Sequence, residues 1–290
     1  MKRSFWICLW ILSATVLASA QTTFYFPHVA NGVVGASQWR TTILLTNPGS
    51  ATASGTVVLT QDNADLGLGG APFVGIGFVD QDGAPAGSGG VITFSVAAGE
   101  TRKYTSTGVG PYAGGFATVV ATAGTVTGTA IFSDFRSGRL FAEAGVPAAT
   151  AVPSQAVFVD TVGFDVGTAF ANVGSSSAQV TLTLLNSAAA SVATTTQTLG
   201  PGNHNARFIS QFFPNSGFAG TGRLEIRSTA ALAAIALRFD TASGVFTTLP
   251  PVTLGAALMS PAIQWLEQRP WLAPLTSMAR LLGALQFRIG

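Results

Sequence analysis

Side chains alternate between Trp39 and Leu45. Trp39, Thr41, Ile43 and Leu45 fall on one face of an extended chain, and Arg40, Thr42 and Leu44 on the other. That period belongs to a strand that buries one side. Asn47-Pro48-Gly49-Ser50 follows, supplying a side-chain acceptor, a fixed φ and a residue that tolerates positive φ, so the chain turns. Val57 and Leu59 resume the alternation. The same rhythm predicts strands at 24–29 (ending near Pro27), 91–96, 102–104, 115–121, 125–132 and 140–142, and again at 222–227, 232–239 and 245–249. Asn31-Gly32 reads as a turn. Two stretches depart from this rhythm. Residues 207–213 carry apolar side chains at helical spacing and stop at Pro214, with a weaker equivalent at 105–112. From Gly255 onward threonine nearly vanishes, and Leu275, Met278, Leu282, Leu285 and Ile289 share one face of a predicted helical tail.

The second half of the 39–59 stretch returns 125 positions later at 167–184, where Asn172 and Gly174 repeat Asn47 and Gly49. By Ala98-Gly99 and Pro201-Gly202 the offset has fallen to about 103, and beyond that it is 106 to 107. The first copy therefore holds about twenty extra residues between Gln61 and Gly90. They are glycine-rich around the apolar segment 73–79, which reads as a strand or hairpin arm. Two strands cannot close a core, so each copy is expected to carry further antiparallel strands, and its resemblance to a known β repeat implies that these form a β-sandwich. The expected organisation is all-β: a signal peptide at 1–20, a first sandwich at 21–147 with the insertion at 61–90, a linker at 148–154, a second sandwich at 155–254, and a helical tail at 255–290.

Several second-copy segments carry a resemblance: Asn172 with Gly174, the run 180–184, Leu199-Gly200-Pro201-Gly202, Ala206-Arg207-Phe208-Ile209 with Phe212-Phe213, Ala236-Leu237-Arg238-Phe239, and Phe246-Thr247-Thr248-Leu249-Pro250. Together they resemble a β-sandwich repeat common in secreted bacterial proteins, a family without an assigned activity. The resemblance covers about residues 24–251 and implies tandem immunoglobulin-like or fibronectin-like sandwiches. It brings no catalytic residues with it.

Composition narrows the function classes. Lys2 and Arg3 precede an apolar run ending at Ala18-Ser19-Ala20, the pattern of an export signal, so the chain is expected to be secreted or at the cell surface. The only cysteine, Cys8, lies inside that signal, which leaves no disulfide, thiolate ligand or cysteine nucleophile in the exported part. Without Lys2 and Arg3 the fourteen basic residues become twelve, equal to the twelve acidic ones. Zero net charge and a single remaining lysine, Lys103, exclude the electrostatic footprint of a nucleic-acid binder. Membrane contact is expected only through the tail 255–290.

Candidate chemistry is sparse. His28 and His204 read as exposed turn histidines, with no nucleophile elbow and no third zinc ligand nearby. Asp80 and Asp82, before Gly83 and downstream of Asp62, Asn63 and Asp65, form a candidate Ca²⁺ loop. The twelfth position counted from Asp80, however, is Val91 and not the bidentate Glu of an EF-hand. No other cofactor is implied and no catalytic residue is assigned. Tyr25, Tyr104 and Tyr112 are candidate stacking residues for a polymer, and Trp39 is expected in the core. The sequence thus points to a non-catalytic structural or binding module for a surface or matrix polymer or protein, with the insertion as its contact surface. The alternatives are an extracellular carbohydrate-active hydrolase, which would need a carboxylate pair, and a subunit of a surface assembly.

Overall fold

A computed structural model describes residues 22–62, 70–73 and 75–255. The expected signal at 1–20, Asn63, Asp65 and the expected helical tail from 256 on lie outside the described residues. The chain is all-β. It divides into two compact units: one comprises the described residues up to Thr150 together with Gly202–Asn205, the other residues 151–201 and the described residues from Ala206 on.

The first unit holds β1 (Thr22–Val34), β2 (Ser37–Thr46), β3 (Ala53–Asp62), β4 (Ala71–Pro72), β5 (Gly77–Asp80), β6 (Pro85–Ser88), β7 (Val91–Val96), β8 (Thr101–Ser106), β9 (Ala113–Ala123), β10 (Thr127–Arg136) and β11 (Arg139–Pro147). Eight of these form a closed ring of antiparallel pairings, running β1-β9-β3-β7-β6-β5-β8-β2 and back to β1, while β10 and β11 extend outward from β2. This barrel stands in place of the expected sandwich, and two devices close it.

The first device is the glycine-rich insertion. Its strands β5 and β6 bridge β8 and β7, and Phe73, Ile76 and Phe78 point into the core with at most 2% exposure. The pairing is tight enough that a Cβ on Gly87 would strike the Val91 carbonyl. The second device is a seam on β2, whose one edge pairs with β1 through Ser37–Trp39 and with β8 through Thr42–Thr46. At the junction the Thr41 hydroxyl accepts from the Ala30 N–H (3.0 Å) and donates to the Ala30 carbonyl (2.8 Å), while the Thr41 N–H donates to Ser106 Oγ (2.9 Å). Side chains thus satisfy the buried backbone where the ladder changes partner.

The second unit holds β12 (Val152–Asp160), β13 (Phe164–Asn172), β14 (Ala178–Asn186), β15 (Ser191–Leu199), β16 (His204–Phe208, whose first two residues belong to the first unit), the helix α1 (Ile209–Phe212), β17 (Thr221–Asp240), β18 (Phe246–Leu249) and β19 (Val252–Thr253). One helical turn within 207–213 is present, whereas 105–112 carries no helix. β17 runs unbroken where two strands were expected. Its first half pairs with β12 and β14, and its second with β13 and β18. Phe170, Leu182, Leu184, Leu224, Ile226 and Leu232 are fully buried between these halves.

The pairings recur strand for strand. β3 joins β7 and β9 as β14 joins β15 and β17, and β2 joins β8 and β10 as β13 joins β16 and β17. Asn47 donates to the carbonyls of Ala51 (2.8 Å) and Val96 (2.9 Å) and accepts from the Gly49 N–H (2.9 Å). Asn172 does the same with Ser176 (2.7 Å), Leu199 (3.0 Å) and Gly174 (3.1 Å). Gly115 and Gly222 both lie where a Cβ would collide with a neighbouring strand's carbonyl, that of Thr60 and of Leu185 respectively.

Candidate binding surface

One end of the first unit gathers aromatic and apolar side chains around the β1–β2 hairpin. β1 continues past Pro27, and Asn31-Gly32 lies within it, so the chain turns later, at Gly35. This longer hairpin carries Val33 (47% exposed) and Val34 (53%) to the surface beside Val109 (66%) and Tyr112 (38%). The loop between β8 and β9 is fixed against the hairpin. Asn31 donates to the Val109 carbonyl (3.1 Å) and accepts from the Gly108 N–H (2.9 Å), and Gln38 donates to the Gly108 carbonyl (3.2 Å). Val33 and Tyr112 complete the clamp, since the Val33 N–H donates to Gly110 (2.9 Å) and the Tyr112 N–H to Val33 (3.1 Å).

Behind this surface runs a continuous series of rings. Tyr112 meets Trp39 edge-on at 6.3 Å, Trp39 stacks on Phe132 at 4.7 Å and 7°, Phe132 meets His28 at 4.9 Å, and His28 stacks on His204 at 5.5 Å. Trp39 is half-buried at the rim, not a core residue. β10 sets the other wall: Asp134 lies opposite Trp39, 1% exposed, with Arg136 Nε donating to Oδ2 at 2.9 Å. The Arg136 guanidinium in turn covers the Phe141 ring at 3.4 Å, a cation–π contact that holds it over the carboxylate.

The histidines correct the sequence reading. Both are buried, His28 at 6% and His204 at 4% exposure, with His28 Nδ1 and His204 Nε2 3.5 Å apart. A bulge in β1 between Phe26 and Val29 interrupts the alternation at His28. Burial lowers the His28 pKa from 6.5 to about 4. His204 falls to about 3, through burial and then the charge of His28, against a hydrogen bond to the Pro27 carbonyl. Two neutral imidazoles in a dry site pack as rings and are poor proton carriers near neutrality. The apolar run 24–30 around His28 hinted at burial, but nothing local marks His204.

The remaining candidates are dispersed. Asp80 caps the β5–β6 turn, its Oδ1 accepting from the N–H groups of Asp82 and Ala84, both at 2.9 Å, and Asp82 is exposed. Among the described residues no group of three or more His, Cys, Asp or Glu could hold a metal. Tyr25 lies on β1 opposite Thr118, and Tyr104 is buried on β8, its hydroxyl pKa raised mainly by desolvation. Of the three tyrosines, Tyr112 alone stands on the surface just described.

The second unit has a cavity of about 190 Å³ lined by Thr161, Phe164, Asp165, Ile209, Ser210, Ser216, Phe218 and Thr241. Ser210 Oγ donates to Asp165 Oδ2 at 2.6 Å. The cavity is smaller than the roughly 300–1,000 Å³ of typical ligand pockets, and its lining includes no histidine to serve as a base. No helix among the described residues is long and apolar enough to cross a membrane. The chain matches no protein-family model, no curated protein and no solved structure.

Proposed function

We propose that this chain is an exported, non-catalytic binding module, and that it docks a surface or matrix polymer on the Trp39–Tyr112 face of its first unit. One observation carries the reading: an exposed Tyr112, on a loop that side-chain hydrogen bonds hold in place, meets a half-buried Trp39 of β2 that is backed by rings down to His28. An aromatic platform fixed before binding loses little conformational entropy when a flat sugar ring or an extended chain lies on it. The exposed Val33, Val34 and Val109 enlarge the apolar area around it.

The glycine-rich insertion becomes part of the scaffold in this reading, because its Phe73, Ile76 and Phe78 pack into the core. Shared strand pairing and the twin asparagine turns support descent of both units from one duplicated scaffold. Export rests on the residues before Gln21.

The test is pull-down and calorimetry of the full chain against a panel of insoluble polysaccharides and immobilised matrix proteins. Tyr112→Ala is expected to weaken binding by at least about tenfold, as removal of an aromatic anchor does. Tyr112→Phe should retain binding, and neither variant should move the second unit's unfolding transition. Binding indifferent to Tyr112→Ala and Trp39→Ala, or no binding across the panel, would contradict the reading.

A further inference from the structure

The two units treat corresponding sheet edges differently. β7 of the first unit, paired with β3 by Ala53–Val58, has β6 joined to its start through Ser88 and Val91. β15 of the second unit is paired with β14 from Ala193 to Leu199 and again at Ser191, with a bulge at Val192, and among the described residues β14 is its sole strand partner. Among the described residues the second unit has no counterpart of the β5–β6 pair, and no strand of theirs covers this edge.

Open edges in soluble proteins are normally blunted by shortness, charge or proline. β4 and β19 are two residues long and β18 is four. β11 is nine residues long, but carries Arg139, Glu143 and Pro147. β15 has nine residues, Ser-Val-Ala-Thr-Thr-Thr-Gln-Thr-Leu, with no charge, proline or glycine and high strand propensity. Val192, Thr194, Thr196 and Thr198 on its outer face are exposed. From Ala193 to Leu199, beyond the bulge, nothing in its sequence discourages another strand.

We propose that β15 pairs antiparallel, edge to edge, with β15 of a second copy of this chain. The occupant follows from the strand's own chemistry. An uncharged strand meets itself without like-charge repulsion, and the symmetric register centred on Thr195 pairs Ala193 with Gln197 within the regular stretch of the strand. That register sets Thr194 of each copy opposite Thr196 of the other, so the contact closes as an isologous dimer. Threonine already faces threonine across the β14–β15 ladder, where Thr181 meets Thr196, and Thr183 meets Thr194 with hydroxyls 3.5 Å apart. The new pairing repeats on the free side what the fold uses on the paired one.

Light scattering and sedimentation of the full chain over a dilution series test this. The wild type is expected to show twice the monomer mass at high concentration and to dissociate on dilution. Thr194→Lys with Thr196→Lys places like charges opposite each other and should raise the dissociation constant at least about tenfold. Thr194→Lys with Thr196→Glu places opposite charges together and should keep the dimer. Both variants alter exposed side chains, and an unchanged melting temperature checks their folding. A wild type monomeric at every concentration, or a dimer indifferent to both variants, would overturn the proposal.

Discussion

Where the first unit has Thr41, the second has Val166, 125 positions later, at the same place in the same strand pairing. Thr41 stitches β2 to Ala30 and Ser106 and closes the ring of strands. Val166 is fully buried and can form no such bond. On the other side of the scaffold the first unit has β5 and β6, and among the described residues the second has no strand between β15 and β16. One arrangement of strands therefore yields a barrel in one unit and an open sheet with a free edge in the other. The difference rests on an insertion and a seam; the shared strands, asparagine turns and close-packed glycines are common to both.

All three tyrosines, Tyr25, Tyr104 and Tyr112, belong to the first unit, so tyrosine near-ultraviolet signal follows that unit alone. The largest expected effect comes from Phe78→Ala, which empties a fully buried site in the inserted wall. It should destabilise the tyrosine-reported transition by about 3–5 kcal/mol in denaturant titration and leave the other transition unmoved.

Acid should separate the units next. The unfolded chain protonates His28 and His204 near their ordinary 6.5, whereas the folded first unit does so only near 4 and 3. Its stability is therefore full above pH 6.5 and declines as pH falls toward 4, by about 3 kcal/mol for His28 alone. The second unit's Asp160 and Asp240 titrate below the ordinary carboxylate range, Asp160 mainly through its hydrogen bond from Arg238 and Asp240 mainly through the Ser243 N–H. Their contribution is present above the unfolded carboxylate pKa and is lost only as pH falls through the folded one. Chemical denaturation at pH 7 and pH 5 should thus weaken the first transition and spare the second.

Thr41→Val gives the first unit the residue of the second and strands the Ala30 N–H and carbonyl. A loss of about 2–3 kcal/mol is expected, while Val166→Thr should cost the second unit about 1–3 kcal/mol by burying a hydroxyl without a partner. The smallest contrast is between the shared turns. Asn47→Ala and Asn172→Ala remove the same three hydrogen bonds and should each cost about 2 kcal/mol in their own unit, within a few tenths of one another. Unequal costs would mean that the two turns are less alike than their bonds indicate.

Much of this contrast could be read from the chain. Alternation located β2, β7 and β9, the repeat located β14, the change of offset from 125 to about 103 located the insertion, and Phe212-Phe213 before Pro214 marked the one short helix among the described residues. Barrel closure could not be read there, because it depends on strands distant in sequence meeting at one edge and on the reach of a single threonine hydroxyl. The candidate surface was half legible. Tyr112 stands out in the sequence as an aromatic, but the alternation of Trp39 with Thr41 and Ile43 points to the core and does not show that this residue near the start of β2 stands at the rim. The histidines were misplaced for a related reason: polar neighbours such as Asn203 and Asn205 describe the local chain and not what packs over it.

Native-state hydrogen exchange of β5 tests most directly whether the insertion is barrel wall or appended loop. Phe78 and Val79 pair with Ser106 and Thr105 on β8. As wall residues, their ladder amides should exchange only through global opening of the first unit, with the same free energy as the amides of β2 and β3. Exchange orders of magnitude faster than those strands, with β2 and β3 fully protected, would show a barrel that does not need the insertion and would contradict the account.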